Sequence, residues 1–594
     1  MGVPSYFGWI IKRLKKHGSA HTREVVTGEL PNNLPIHRLY FDFNCLIHGA
    51  KHVEVNNDVS ISTAIIARVI EMTRTIIALV QPTDLIYIAI DGSVPMGKCK
   101  QQRFRRFKAM QEARDLHLIA QNYQHPVSSN GFDSNAISPG TQFMQELSES
   151  LQQAFQFDSR LVIIDDSLNP GEGERKIMKH LQKDHLISVD QRVVIYGLDA
   201  DLIFLSLGLH HPAIYLIREN TFRQTVNSEI PEYMFVNIPN LAHHIVAVIT
   251  ESEPIYWKLA KTELSRLPID SYESSRIIDD YIVISFLLGN DFVQRLYCLE
   301  IKNQGCEIIL EIYRYCLRQT QNYLVERSND NNNRVKLNID FLRLFFEQLL
   351  PVEQEFFANP PKFFQYASQR DATPYETAVQ AYQSVPEFLY RLTVRYPTEI
   401  ENDYYHSLFH STDYYLSTYE SPTKAKETTL NIKIILKEYW KSLIWTAHYY
   451  LTECLDYHYV YPFNYAPLVI NLSETVHYLD KKKVKASFHQ QSQPLDPLHQ
   501  LMIILPPSSY HLLPRPYHQL LKLQTMQPYF PKYFSLSYYG NTHLHQCAPR
   551  IPILSAKLSL KYYLYLKNVH ESELAASSDN DYQSNSKNNS YSNK

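Results

Sequence analysis

The sequence predicts an α/β protein in which a mostly parallel sheet is flanked by helices and is followed by a mainly helical second region. Two observations lead to this prediction. In about the first 200 residues, four short apolar runs alternate with helical patterns, and each run ends at or near an acidic residue. From about residue 277 onward the patterns are mainly helical. Such alternation is typical of parallel sheets that helices cover on both faces.

The four apolar runs are the predicted buried strands. They are residues 39–41 before Asp42, residues 85–90 before Asp91, residues 161–164 before Asp165, and residues 193–196 shortly before Asp199. Helical patterns over residues 61–80 and 103–121 lie between them. Ligand sites in parallel sheets lie at the carboxyl ends of the strands, where these acids are.

The remaining sequence predicts how the chain is divided. An amphipathic helix over residues 432–451 is followed by an aromatic run at residues 457–463, and the polar run at residues 328–333 predicts a surface loop. The last residues are rich in Ser and Asn without an apolar period, which predicts disorder. The predicted units are the α/β region at residues 1–310, a helical connecting region at 311–427, a second region at 428–570 that packs on the first, and a disordered tail at 571–594.

The composition limits the classes of protein to which the chain can belong. The formal net charge of −3 requires that any basic surface for nucleic acid be local. The seven cysteines form no Cys-x-x-Cys pair, and no signal peptide is present, so we expect reduced thiols and no structural zinc. The expected compartment is intracellular, the cytoplasm rather than the nucleus. The most apolar long stretch, residues 61–80, carries three charged side chains, and no membrane span is expected.

Seven acids are candidates for a metal site. They are Asp42, Asp91, Glu172, Glu174, Asp199, Asp201 and Asp291. Phosphodiester hydrolysis without a covalent intermediate can use two divalent ions, and hard ions such as Mg²⁺ require carboxylate ligands. Taken singly, each acid is more often a turn or cap residue, and Glu172 and Glu174 also suit a helix N-terminus. Asp199 and Asp201 would repel each other unless a cation lay between them.

A basic segment follows Asp91. Residues 98–108 contain six Lys or Arg residues in eleven positions. On a helix, one face would carry Lys98, Gln102, Arg105 and Arg106. Such a face can bind a phosphate, although an isolated basic run is also typical of a solvated helix.

Taken together, these motifs form a recognisable set. The segments are MGVPSYF at 1–7, DFNCLIH at 42–48, DG at 91–92, QQRFRRF at 101–107, FDSNAISPGT at 132–141, PGEGE at 170–174, YGLDAD at 196–201, IDDY at 278–281 and GNDF at 289–292. In this order and spacing they resemble the Xrn family of eukaryotic 5′ to 3′ exoribonucleases. The resemblance resumes with YWKSLIW at 439–445, YPFNYAP at 461–467 and QLMIILP at 500–506, so it covers both conserved regions of the family's core.

The resemblance implies a fold and a mechanism. It implies a PIN/FEN-like nuclease core in which the seven acids hold two Mg²⁺ ions, for which Mn²⁺ can substitute. It further implies that Lys98, Gln102, Arg105 and Arg106 bind the 5′ monophosphate of single-stranded RNA and that 5′ mononucleotides are released. His48 matches a histidine that stacks on the terminal base. The expected protein is a monomer with no membrane partner.

The chain departs from the family pattern at some positions. Tyr457 and Tyr459 stand where the family has Trp, so these tyrosines are the predicted second stacking partners. Met96 and Arg175 replace an Arg and a His of the family. The compact length is compatible with a viral member or one from a divergent eukaryote.

The sequence is compatible with two other functions. A structure-specific 5′ flap DNA nuclease shares strand-end acids and a 5′ preference, but the QQR and YAP motifs argue against it. A catalytically inactive RNA-binding scaffold is disfavoured because all seven acids are present.

Overall fold

The computed structural model describes most of the chain. The described residues are 6–10, 27–28, 35–51, 53, 60–126, 131–183, 190–219, 233–250, 255, 273–327, 335–360, 372–391, 399–409, 431–479, 488 and 492–590. The predicted loop at 328–333 and the first five residues of the N-terminal motif lie outside these ranges.

Strands and helices alternate through the first half, and helices dominate the second. The strands are β1 (Thr27–Gly28), β2 (Arg38–Asp42), β3 (Leu85–Ala89), β4 (Leu161–Asp165), β5 (Val193–Tyr196), β6 (Ile214–Glu219), β7 (Tyr233–Asn237), β8 (Val325–Arg327), β9 (Val335–Leu337), β10 (Leu536–Ser537) and β11 (Ala548–Pro549). The helices of the first half are α1 (Asn44–Ala50), α2 (Ile61–Val80), α3 (Met96–Asn122), α4 (Gln142–Phe155), α5 (Gly173–Lys183), α6 (Asp201–Gly208), α7 (Ile238–Thr250) and α8 (Ser274–Ser285).

The later helices follow the sheet along the chain. They are α9 (Gly305–Thr320), α10 (Ile339–Ala358), α11 (Pro374–Gln383), α12 (Glu387–Tyr390), α13 (Ile400–Leu408), α14 (Ile432–Leu451), α15 (Val469–Thr475), α16 (Pro497–Ile504) and α17 (Ala556–Ser590). Short 3-10 helices span Ser134–Ala136, Phe286–Leu288, Ile301–Asn303, Val476–Leu479, Pro507–Leu512, Arg515–Lys522, Gln524–Tyr529 and Leu544–Gln546. Within the described ranges, no helix is both long enough and apolar enough to cross a membrane.

The main sheet has seven strands in the order β1-β7-β6-β5-β2-β3-β4. Strands β2 to β6 run parallel, whereas β7 and β1 add antiparallel pairs at one edge. Leu39 and Phe41 face one core with α2 and α4, and Tyr40 faces a second core with α5 and α6. Successive side chains of a strand point to opposite faces, so helices cover the sheet on both sides. The predicted fold class is confirmed.

Local signals explain the helix boundaries that the sequence predicted well. The Ser60 hydroxyl accepts the amide of Thr63 at the start of α2, and Gln81 takes a left-handed conformation at its end. Both α2 and α14 have the predicted bounds. By contrast, α3 begins at Met96, seven residues before the predicted start, because Pro95 serves as its N-cap and its first turn is buried.

The second region is joined to the sheet domain by buried contacts. Helix α14 buries Trp440 and Trp445, and the Trp445 ring lies 5.0 Å from that of Phe292. The Gln500 side chain accepts the amide of Val94 at 2.7 Å, and the Lys100 ammonium donates to the carbonyls of Tyr461 and Phe463. The second region therefore fixes the start of α3 and the loop that precedes it.

The last helix extends past residue 571, where the sequence predicts a disordered tail. Helix α17 continues to Ser590. Its first turns are anchored because Tyr563 and Leu566 are buried beside the 3-10 helix Arg515–Lys522. Adding residues to an existing helix costs much less than starting one, which accounts for its continuation into a polar sequence.

One buried acid ties α10 to α15. Glu353 accepts the amides of Val469 and Ile470, which begin α15, at 2.7 and 3.2 Å. Because amides in the first turn of a helix have no partner within the helix, Glu353→Ala is expected to cost about 1 to 3 kcal/mol. Burial raises the pKa of Glu353 to about 7. Wild type and variant are therefore compared at pH 6, where the Glu353 carboxyl group is mostly uncharged. The measurement is the urea midpoint of unfolding.

The matched control is Glu347→Ala, an exposed acid of the same helix, which should shift unfolding by no more than about 0.5 kcal/mol. Equal effects of the two substitutions would contradict this role of Glu353.

Candidate active site

The carboxyl ends of the central strands bring the first acids together. Asp42 is the last residue of β2, and Asp91 follows β3, its neighbour in the sheet. The Asp91 amide donates to the Asn44 side chain at 3.1 Å, and the Asp91 carboxylate accepts the Gly173 amide at 2.7 Å. These bonds orient Asp91 toward the start of α5, where the next two acids lie, Glu172 just before the helix and Glu174 within it.

Two loops hold this arrangement by reciprocal backbone bonds. The Gly92 amide donates to the Gly171 carbonyl, and the Gly171 amide donates to the Ser93 carbonyl, both at 2.8 Å. The Lys176 ammonium donates to the Ile90 carbonyl at 2.8 Å and pairs with Asp165 at 3.0 Å. The loop of Asp91 and the PGEGE loop therefore form one rigid unit.

Gly173, between Glu172 and Glu174, permits this loop to approach Asp42 closely. A Cβ atom on Gly173 would lie 2.7 Å from the Asp42 carboxylate and 2.8 Å from the Ala89 carbonyl. Real Cβ atoms do not approach oxygens so closely, so the alternation of Glu and Gly is needed for Glu172 and Glu174 to lie beside Asp42.

Glu172 and Asp291 meet at Lys98. The Lys98 ammonium lies 2.5 Å from one Glu172 oxygen and 2.8 Å from one Asp291 oxygen. The other Glu172 oxygen accepts the Tyr449 hydroxyl at 2.6 Å, and the other Asp291 oxygen accepts the Gln101 amide at 3.1 Å. Lys98, predicted to bind phosphate, thus lies among the acids in this structure.

The remaining acids complete the cluster. Asp201, the first residue of α6, is buried and is hydrogen-bonded to Tyr450. Glu174 is buried near Asp201, and its Oε2 atom has no hydrogen-bond partner among the described residues. Asp199 acts on Asp42 electrostatically. All seven predicted acids therefore belong to one electrostatic cluster.

The pKa values of these acids reflect the concentration of negative charge in the cluster. Burial first, and then repulsion by neighbouring carboxylates, raise the pKa of Asp42 and of Glu174. The same causes raise the pKa of Asp201 to about 6. Burial alone would also raise the pKa of Asp291, but the positive charge of Lys98 lowers it to about 2. Lys98 therefore balances only part of the cluster.

The donor set suits a hard divalent cation. The residues that would hold it are all carboxylates, a buried Glu174 oxygen lacks a partner among the described residues, and the raised pKa values indicate missing positive charge. As these side chains stand, no three His, Cys, Asp or Glu residues within the described ranges are arranged to enclose a metal ion. The Lys98 ammonium lies between two of the acids instead.

Farther along α3, the basic side chains divide into two groups. Lys100 and the fully buried Arg103 bond to backbone carbonyls of the second region, so they hold the fold together. The Arg106 guanidinium donates to the Ser138 hydroxyl at 2.8 Å, while its Nη1 atom lacks a partner in the described part of the chain. The Gln102 Oε1 atom is likewise buried and unpartnered there, and Arg105 is exposed.

His48 lies beside this second group. Burial first, and then the positive charges of Arg105, Lys51 and Arg106, lower its pKa to about 4. The ring is therefore neutral at physiological pH.

The two predicted tyrosines occupy different environments. Tyr457 is half-buried, and its carbonyl accepts the Met96 amide at the start of α3. Tyr459 is buried, donates to the Glu438 carbonyl at 2.9 Å and packs against Trp445 and Phe488. This packing places Tyr459 in the core, so Tyr457 is the better candidate for base stacking.

Sequence reasoning missed the polar side chains that hold the acids. Tyr449, Tyr450, Gln101 and Lys176 contact the acids or the loops that carry them. The sequence offered one signal for Tyr449. Its polar hydroxyl lies four residues after Trp445, on the apolar face of α14. Its partner lies 277 residues away and has no local signature.

Comparison with known proteins identifies the family. A family model described as the XRN 5′-3′ exonuclease N-terminus matches residues 1–220, and one described as the Xrn1 helical domain matches residues 271–385 and 409–577. The chain belongs to the Xrn family of 5′–3′ exonucleases. The family predicted from the sequence motifs is therefore confirmed, and family membership makes the chain a nuclease, a hydrolase with an RNA substrate and a dependence on divalent metal.

Curated relatives of this Xrn-family chain are named 5′-3′ exoribonuclease 2 or its homolog. The Drosophila melanogaster protein is 26% identical over 94% of this chain and 70% of its own length. The Arabidopsis thaliana protein is 24% identical over 94% of this chain and 67% of its own length. The Kluyveromyces lactis protein is 28% identical over 63% of this chain and 41% of its own length. The individual site residues stay predictions.

The close approach at Gly173 can be tested directly. Gly173→Ala would push the Asp42 carboxylate or the Glu172–Glu174 loop out of place, and a displacement of this kind costs about 10- to 100-fold in rate. The measurement is the rate of RNA hydrolysis, with circular dichroism to confirm folding. Gly208→Ala, which adds only ordinary contacts at the end of α6, should keep the wild-type rate. A wild-type rate for Gly173→Ala would show that the acids tolerate this displacement.

Proposed function

We propose that the chain hydrolyses 5′-monophosphorylated single-stranded RNA from its 5′ end and releases 5′ mononucleotides with the aid of two Mg²⁺ ions. The observation that carries the proposal is the placement of α3. Lys98 and Gln101 of this helix contact the acids. Gln102 and Arg106 follow Gln101 within two turns of the same helix. Lys98 and Gln102 are about 6 Å apart along the axis. A phosphate held by the later turns would leave the next phosphodiester bond close to the acids.

The acids proposed to hold Mg²⁺ are Asp42, Asp91, Glu172, Glu174, Asp199, Asp201 and Asp291. When bound, the ions would supply Lewis-acid stabilisation of the phosphoryl oxygens and a nucleophilic water near neutral pH. Mn²⁺ has the same preference for oxygen ligands and could substitute. The chain's own part is to keep these carboxylates oriented and partly desolvated. No nucleophilic side chain is needed.

The proposed 5′ phosphate pocket consists of Gln102, Arg105 and Arg106. Burial first, and then repulsion by Arg105, lower the pKa of Arg106 to about 9, so its guanidinium is charged at neutral pH. A charged guanidinium binds phosphate strongly, and the Nη1 atom, which has no partner among the residues that the structure describes, offers donors for it. The two ends of the Gln102 amide exchange by a half-turn, so its amino group can also face the phosphate. Lys98, the fourth residue predicted to bind this phosphate, pairs with Glu172 and Asp291 in this structure.

The terminal base is proposed to stack on His48. A neutral imidazole beside Arg105 and Arg106 can lie against a base whose phosphate these arginines hold. Tyr457 is the proposed second stacking surface. Stacking does not depend on base identity, which suits degradation of any sequence. The monomeric state and the cytoplasmic location are part of the same proposal.

Matched RNAs test this function. We expect degradation of 5′-monophosphate RNA in Mg²⁺, at least about 10-fold slower degradation of 5′-hydroxyl or 5′-triphosphate RNA, and none in EDTA. The reason is that a charged phosphate contact contributes about 1.5 to 3 kcal/mol, equivalent to roughly 10- to 100-fold. The measurement is the release of mononucleotides from RNA labelled uniformly along its length.

Variants separate the two parts of the site. Asp199→Ala combined with Asp201→Ala should abolish hydrolysis, and Arg106→Met should remove most of the preference for monophosphate. Arg114→Met removes a charge farther along α3, where Arg114 contacts Lys532 and Tyr533, and should keep the preference.

Equal degradation of all three RNAs by wild type would contradict the pocket, and faster cleavage of flapped DNA would favour the flap nuclease. Activity of the double-alanine variant would contradict the assignment of the acids.

A further inference from the structure

Two consecutive tyrosines of the second region reach into the acid cluster. The Tyr449 hydroxyl donates to Glu172 Oε1 at 2.6 Å, and the neighbouring Tyr450 is hydrogen-bonded to Asp201. Adjacent residues of a helix point about 100° apart, so one turn of α14 can reach two acids that belong to different elements. Glu172 precedes α5, whereas Asp201 begins α6.

The Tyr449 ring is held on several sides. The Trp445 ring is stacked on it at 4.9 Å with an interplanar angle of 12°. The Arg175 guanidinium lies 4.8 Å from its centre and donates to the Thr452 carbonyl at 3.0 Å. The Phe292 ring packs edge-on at 5.1 Å. These contacts leave the phenol little freedom, so the direction of its hydroxyl is fixed. They also give a role to Arg175, one of the positions where the chain departs from the family pattern.

The bond to Tyr449 determines which Glu172 oxygen is available. With Oε1 accepting the hydroxyl, Oε2 points toward Lys98, into the middle of the cluster. Tyr450 is also buried and packs against Phe286 at 4.8 Å, so its hydroxyl restrains Asp201 from the same helix. A carboxylate with one oxygen occupied presents the other one in a defined direction.

We propose that Tyr449 and Tyr450 are positioning residues that orient Glu172 and Asp201 for a divalent cation. The helical second region thereby completes the metal site instead of serving only as a cover for it. This inference rests on the proposed metal site. Partners that fix the orientation of a metal ligand typically contribute about 10- to 100-fold in metal affinity.

Other tyrosines nearby show what a purely structural hydroxyl does. Tyr439, on the same helix, donates to the Gln294 carbonyl at 3.0 Å, and Tyr461 donates to the Tyr465 carbonyl at 2.8 Å. Tyr439 is buried like Tyr449 and Tyr450. It therefore provides a control in which the same chemical group is removed from the same helix without touching an acid.

The test compares Tyr449→Phe, Tyr450→Phe and Tyr439→Phe in the full chain. Mg²⁺ binding is measured by calorimetry without RNA, and RNA hydrolysis is measured across a Mg²⁺ titration. We expect Mg²⁺ affinity to fall about 10- to 100-fold in each of the first two variants and to stay at the wild-type value in the third. Hydrolysis by the first two variants should recover at high Mg²⁺, with KM for RNA unchanged there.

The outcomes separate this inference from the function on which it rests. If wild type binds no Mg²⁺, the proposed metal site is wrong, and the inference falls with it. If wild type binds Mg²⁺ and Tyr449→Phe and Tyr450→Phe bind it equally well, the metal site stands and the inference is overturned. Lower stability or a higher KM for RNA with unchanged Mg²⁺ affinity would also overturn it, because those changes are expected of a packing role.

Discussion

The concentration of negative charge at the carboxyl ends of the central strands is the constraint on which the rest of this structure depends. Carboxylates buried together repel each other, and burial itself penalises their charged form. The chain offsets part of this cost with the Gly173 amide on Asp91, the Tyr449 hydroxyl on Glu172 and the Lys98 ammonium between Glu172 and Asp291. The raised pKa values of Asp42 and Glu174 show that the compensation is incomplete. A site of this kind gains stability from a cation supplied by the solvent.

Helix α3 links that charge to the rest of the molecule. Its first turns reach the acids, and its inner face bonds to the second region through Lys100 and Arg103. Arg106 lies beyond them, and its Nη1 donor has no partner in the described ranges. Because one rigid element carries all these groups, the spacing between the acids and the proposed phosphate pocket is fixed. In the proposed function, this spacing determines which bond is cut.

The sequence predicted those parts of the structure that have local signatures. Strands β2, β3 and β5 were predicted because strands buried on both faces are nearly continuous apolar runs, and α2 and α14 because their apolar period is regular. Strand β4 was predicted from the same pattern, but its predicted burial was wrong, because β4 lies at the edge of the sheet and is only partly buried. Strands β6 and β7 and the two-residue β1 were missed. Strand β6 runs parallel to β5 but ends in the charged residues Arg218 and Glu219, whereas β7 and β1 are antiparallel and carry polar residues. The acids were predicted from their order along the chain. The roles of Tyr449, Tyr450 and Lys98 could not be, because they depend on contacts between distant segments.

The most direct test of this account is the stability of Asp201→Asn relative to wild type at pH 8, in EDTA and in Mg²⁺. Burial, together with the charge of Asp291, raises the pKa of Asp201 to about 6, so at pH 8 this buried carboxylate is charged at a cost to folding. We expect Asp201→Asn to have the higher melting temperature in EDTA, and Mg²⁺ to stabilise wild type more than the variant. A variant that is less stable than wild type in EDTA, or equal stabilisation of both proteins by Mg²⁺, would contradict the claim that the cluster is built for a divalent cation.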